Sequence, residues 1–219
     1  MSDTTIPVVL SDWYELTQGT ALLQGDILLD SPVFRPPKDM NWPPTNAGIE
    51  TEFAMEVGTQ DVVIMSQSCD LSDQKAEMWL VLLCPLWPIS EAAAVNPILA
   101  SGFGKEECRR GHMPGYHMMA ECSDGRWRRE ISIVSFREVW SLPLAFVRKF
   151  AAASGLRARM RSPYREHLAQ AFARYFMRVG LPADIPPFQS QSAEREVMKR
   201  LNAMDEETRN RILSSFHRD

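Results

Sequence analysis

Apolar positions in the first two thirds of the chain recur mainly at the period of β-strands, and in the last third the period becomes helical. The run Val62, Val63, Ile64, Met65 stops abruptly at Ser66-Gln67-Ser68-Cys69-Asp70. It predicts a short strand buried on both faces, with small polar groups and a thiol at its C-terminal end. Apolar side chains surround Gly25-Asp26 over residues 22–29, and Phe53, Met55 and Val57 alternate with Glu52, Ala54 and Glu56. Residues 78–84 and 131–136 add two more strands. Gly58-Thr59-Gln60 has hairpin length and predicts antiparallel neighbours. Between residues 29 and 51 the five prolines of SPVFRPPKDMNWPPTNAG predict a long loop.

Residues 85–111 interrupt the strand pattern, and Ser90 is placed to cap a short helix that Pro97 ends. From residue 141 the signals are helical. Ser141 reads as an N-cap with Pro143 in the first turn, followed by the stripe Leu144, Val147, Phe150, Ala151 and the stop Gly155. Ser162-Pro163 opens a second helix through Tyr164, Leu168, Ala171, Phe172, Tyr175, Phe176 and Val179, ended by Gly180, with Arg165, Arg174 and Arg178 on its other face. Ser192 and Asp205 then predict two short helices over 193–203 and 206–216.

The pattern predicts an α+β fold. Residues 1–140 form a small SH3-like antiparallel β-barrel with an inserted loop at 85–111, and residues 141–180 form a helical pair packed on the barrel. Residues 181–219 form a linker and two short C-terminal helices.

At 219 residues, 45% hydrophobic and 24% charged, the chain has the means to bury a core. No run approaches the roughly 18 apolar residues that span a bilayer, and Cys69, Cys84, Cys108 and Cys122 occur without a secretory leader. A cytoplasmic protein with reduced thiols and no membrane contact is expected. Charge changes the picture more: the formal −4 divides into −11 over residues 1–100, +8 over 101–180 and −1 over 181–219. Such asymmetry predicts either internal complementarity or a basic face for an acidic partner. Arg126, Arg128 and Arg129 beside Trp127, then Arg157, Arg159, Arg161 and Arg165, are the residues that would meet phosphate and stack on bases.

Other chemistry is sparser. Cys69 could act as a nucleophile if a histidine approached, although the adjacent Asp70 opposes thiolate formation. Cys108, His112, His117 and Cys122 are zinc-type ligands without the tight paired spacing of zinc knuckles. Glu50, Glu52, Glu56, Asp61, Asp70 and Asp73 offer carboxylates for magnesium, with no lysine completing a nuclease motif. No cofactor or metal is expected.

The segments LLQGDILLD, the proline-rich loop with its single arginine, and VVIMS resemble the PemK/MazF group of SH3-like barrels over residues 20–70. The resemblance implies that Gly25 and Asp26 shape a site entrance, that Arg35 contacts phosphate and that Ser66 lies near a cleavage centre. The chain has Gly58-Thr59-Gln60-Asp61 where those ribonucleases carry an arginine, and it is about twice their usual size. QGDI, SQSCDL and SPYREHLAQAFARYFMRVGLP also resemble uncharacterised bacterial proteins linked with phage defence. Two readings follow. One is a non-catalytic interaction or accessory protein that binds a protein partner, and nucleic acid through its basic segment. The other is a toxin-like, metal-independent endoribonuclease using Arg35, Ser66 and Gln67, with Cys69 and Asp70 as further candidates.

Overall fold

A computed structural model describes residues 8–36, 55–72 and 80–177, together with Lys199, Asn202, Ala203, Asp205 and Glu206. The chain divides into two compact units, Met1–Arg178 and Val179–Asp219. In the second, Lys199, Asn202, Ala203 and Glu206 are helical, and the rest of the two predicted C-terminal helices lies outside the described residues.

The first unit is α+β with antiparallel sheets. Strands β1 (Val8–Val9), β2 (Tyr14–Thr17) and β9 (Arg157–Met160) form one sheet. The other runs β3 (Ile27–Arg35), β4 (Glu56–Ile64), β5 (Leu80–Pro88), β7 (Ser132–Ser135), β6 (Tyr116–Met119), with β8 (Trp140–Pro143) also on β5. Besides β4, strand β5 serves two partners in turn: Leu80–Leu83 pair with β8 and Leu86–Pro88 with β7, and the changeover falls around Pro85, which cannot donate to a ladder.

The two sheets meet at the QGD segment. Met160 N donates to Gly25 O at 3.0 Å, Gly25 N to Ile64 O at 2.9 Å and Ile64 N to Asp26 O at 2.9 Å. Gly25 has φ +83, and an added Cβ would lie 3.0 Å from Met160 Cβ, so glycine is required here on both counts. At the far side, Tyr14 Oη donates to Ala120 O at 2.7 Å, just past β6. The strands therefore curl towards one another, but no ladder among the described residues closes them into the expected barrel.

Alternation at the end of β4 explains the two-sided burial predicted for residues 62–66. Val63 and Met65 enter one core with Tyr14, Leu86, Phe136 and Met160, while Val62 and Ile64 enter another with Leu83, Leu142 and Val147. Helix α5 (Tyr164–Phe176) closes the first core with Leu168, and α4 (Leu144–Ala153) covers the second with Leu144, Val147 and Ala151. The insertion holds α1 (Ile89–Val95), α2 (Pro97–Ala100) and α3 (Gly102–Arg109), which bury Ala92, Leu99 and Cys108 against Ile133.

Several expectations are corrected. Residues 58–60 make no hairpin: β4 runs through them, and Gly58, Thr59 and Gln60 pair with Val33, Pro32 and Ser31 of β3, short of an irregularity between Leu28 and Ser31. The proline-rich stretch is not wholly loop, since β3 extends to Arg35. Pro32 is tolerated because it lies opposite Thr59 on a stretch of β3 with no second partner strand. Ser90 lies inside α1, whose cap is Pro88, and Pro97 does end that helix by opening α2 under Asn96, whose Oδ1 accepts from Ile98 N at 3.1 Å. Ser141 belongs to β8 rather than to a helix cap, because Leu142 pairs with Val81 and faces the core.

Candidate ligand-binding cleft

The residues nominated by sequence are placed in three separate ways. Ser66 is buried and its Oγ accepts from Leu82 N at 2.8 Å, tying the end of β4 to β5. Gln24 braces the same turn: its Nε2 donates to Met65 O at 2.8 Å and its backbone N donates to Ser68 Oγ at 3.1 Å. Gln67 and Cys69 are exposed beyond it, with the thiol 3.7 Å from Gln67 Oε1 and 3.5 Å from Asp70 Oδ1. Arg35 sits at the opposite end of the β3–β4 pair, 3.7 Å from Glu138 and 5.0 Å over the Trp140 ring. It registers with Glu56, eight residues before Ile64, which is about 26 Å along a strand. The fold therefore brings Ser66, Gln67, Cys69 and Asp70 together and leaves Arg35 out.

Gly25 and Asp26 form a buried joint instead of an entrance. Asp26 is fully buried, and its carboxylate accepts from Arg157 Nε at 2.9 Å and Arg159 Nη2 at 2.9 Å. The same guanidinium groups donate to the backbone: Arg157 Nη1 to Gly19 O at 2.9 Å and Arg159 Nη2 to Ala21 O at 3.0 Å. Two arginines assigned to nucleic acid thus point inward, where two cations and one carboxylate with added carbonyl acceptors compensate their loss of water. The rest of that set is largely engaged as well. Arg161 donates to Ser11 O at 3.0 Å, Arg165 pairs with Glu166 at 2.8 Å, Arg126 with Asp124, and Arg129 with Asp61 at 2.6 Å. Trp127 is buried 5.0 Å from Tyr14 and offers no stacking face.

The metal candidates disperse. Cys108 packs under the insertion, Cys122 lies in the first core and His112 pairs with Glu107 at 3.0 Å. Among the described residues no group of three or more His, Cys, Asp or Glu could hold a metal ion. Glu50, Glu52 and Asp73 lie outside the described residues.

A cleft of about 800 Å³ opens elsewhere, between the end of α3, β6 and α5. Its apolar walls come from Met118, Met119, Ile131 and Ala171, with Trp13 stacked on Tyr164 at 3.9 Å and 14°. His117, on β6, is among the lining residues, but its Nε2 is closed to solvent, the cleft included, and has no hydrogen-bond partner among the described residues. Burial, reinforced by the neighbouring His167 and Arg174, pushes His117 down to about 4, so the ring is neutral at pH 7. A neutral imidazole can donate or accept one hydrogen bond at that nitrogen, according to tautomer.

The rim is cationic. Arg109 and Arg110 share Glu106, each at 2.7 Å, and these two partners hold that carboxyl down to about 2. Arg174 is exposed and has no ion-pair or hydrogen-bond partner among the described residues. Among the described residues no carboxylate lines the cleft. Cys108 reaches its wall, but burial pushes that thiol up to about 11, which keeps it protonated and a poor nucleophile.

Sequence reasoning reached His117 only as a zinc candidate and missed Trp13 and His167. The signal lies on α5, where Tyr164, His167, Ala171 and Arg174 follow a three-then-four spacing along one helical face beside the apolar stripe. Comparison with known proteins finds no matching family model, no matching curated protein and no matching solved structure.

Proposed function

We propose that this chain is a non-catalytic interaction protein that binds an anionic partner in the cleft beneath α5. The observation carrying this reading is a largely apolar cleft lined by three arginines and two histidines, with no acidic residue among its described lining residues. The basic stretch at 157–161 loses that role, because its first two arginines serve Asp26. A protein partner is favoured by the insertion, where Val95, Ile98 and Phe103, one on each of α1, α2 and α3, are 81%, 56% and 75% exposed. The curled strand path, with Tyr14 reaching Ala120, is what an incompletely closed small barrel would give, and it supports the SH3-like reading.

The rival endoribonuclease has less support, since Arg35 and Ser66 stand apart on the strands. Both readings meet in one experiment. The protein is incubated in chelator with a short labelled single-stranded RNA and with heparin, and binding and products are followed. Retention of an anion with the RNA intact is expected. Cleavage that Arg35→Ala abolishes would establish the enzyme instead, and failure to retain any polyanion would remove the anion-binding reading.

A further inference from the structure

We propose that the free edge of β6 is a docking strand, beside which an extended, acidic segment of a partner protein adds to the sheet inside the cleft. This rests on the anion-binding reading and names the partner's chemistry. Strand β6 ends the path of the larger sheet, with β7 on one side and no strand among the described residues on the other. The ladder fixes which backbone groups face that open side. Phe136 N donates to Gly115 O at 2.9 Å, and His117 and Met119 lie opposite Val134 and Ser132, so Gly115, His117 and Met119 bond towards β7. Tyr116 and Met118 therefore turn their N–H and C=O away from it. The ends of the edge are held: Tyr116 N donates to Met113 O at 2.9 Å, and Ala120 O accepts from Tyr14 Oη at 2.7 Å. Between them Tyr116 O and both backbone groups of Met118 have no partner among the described residues. One added strand would satisfy all three.

This edge opens into the cleft, which residues 116–120 line. One face of β6 packs on the insertion through Tyr116 and Met118, and the other carries Met119 into the core that α5 closes. A strand added here would run between these two layers, its side chains pointing alternately to each. Arg109 and Arg110 stand on the first side, His167 and Arg174 on the second, so an acidic side chain meets a cation whichever way it points. Other anions would use the arginines and leave the edge groups bare; only a polypeptide backbone matches them at strand spacing. The opposite edge of the sheet is blunted, since β3 carries Pro32 and an irregularity between Leu28 and Ser31. Strand β6 has no proline, lysine or carboxylate, and its register with β7 is unbroken.

The test uses the full chain and a short labelled peptide of alternating Glu and Val, compared with the same peptide N-methylated at every residue. Charge is identical in the two, but the second has no N–H to donate. The parent should bind at least roughly tenfold more tightly, and Arg174→Ala should weaken it severalfold. By amide hydrogen exchange, the Met118 N–H should become protected with the peptide and not with heparin. Met118→Pro removes that donor without touching the β7 ladder and should also weaken the peptide; if it fails to fold, the methylated peptide and the exchange measurement still decide. Equal binding of the two peptides, or binding of heparin alone, would remove strand addition and leave anion binding standing. If neither peptide nor heparin binds, both fall. Protection of Met118 in concentrated protein without peptide would assign the edge to a second copy of this chain and overturn the acidic partner.

Discussion

Asp26 is the residue on which most of the joint between the sheets depends. Its carboxylate is fully buried between Arg157 and Arg159, and removing it leaves two desolvated cations with only carbonyl acceptors. Asp26→Asn should lower stability by about 3–5 kcal/mol in urea denaturation. Arg35→Ala, which breaks an exposed 3.7 Å contact, should change it by less than about 1 kcal/mol. His117 makes a second residue-scale prediction. Its folded titration is depressed from the ordinary 6.5 to about 4, so above pH 6.5 the ring is neutral in both states and contributes no pH dependence. As pH falls from about 6.5 towards 4, the unfolded chain takes a proton that the folded one refuses, and stability is lost by at most about 3 kcal/mol. Denaturation of wild type and His117→Gln across this range should show a shallower loss in the variant.

Among the elements, those that the sequence reveals are those whose burial is apolar. The strand around Val62–Met65 and the helix beginning after Ser162-Pro163 are legible because alternation or a helical stripe marks the buried face. Strand β9 is hidden for the opposite reason. All of Arg157–Met160 is buried, but alternate positions are arginines, which read as a solvated or ligand-binding stretch until Asp26, more than a hundred residues earlier, is brought beside them. Helix α3 is hidden by Gly102 and Gly104, both poor helix formers. Gly104 is there for space: a Cβ would stand 1.9 Å from Ile98 O, where α3 crosses the end of α2. Gly104→Ala should therefore destabilise by about 1–3 kcal/mol despite its higher helix propensity, measured by urea denaturation with helical circular dichroism. The cleft was equally hard to foresee, since its polar groups come from α3, β6 and α5, and only the α5 spacing marks a shared face in one continuous segment.

For the whole molecule, the division into Met1–Arg178 and Val179–Asp219 means that the sheets, the three cores and the cleft all lie in the first unit. A chain ending at residue 178 should retain a cooperative urea transition within about 1 kcal/mol of the corresponding transition in the full chain. Loss of that transition would show that the first unit depends on the second. Among the described residues no helix is long and apolar enough to cross a membrane.

The inward turn of Arg157 and Arg159 also changes how the surface meets a ligand. With Asp26 they enclose a net +1, so the other groups carry −5 of the formal −4 total. A distant phosphate is therefore repelled on approach and attracted only within a few ångströms of the cationic mouth. Added electrolyte would screen the outer repulsion before it weakened the close contacts, and encounter should at first become faster with ionic strength.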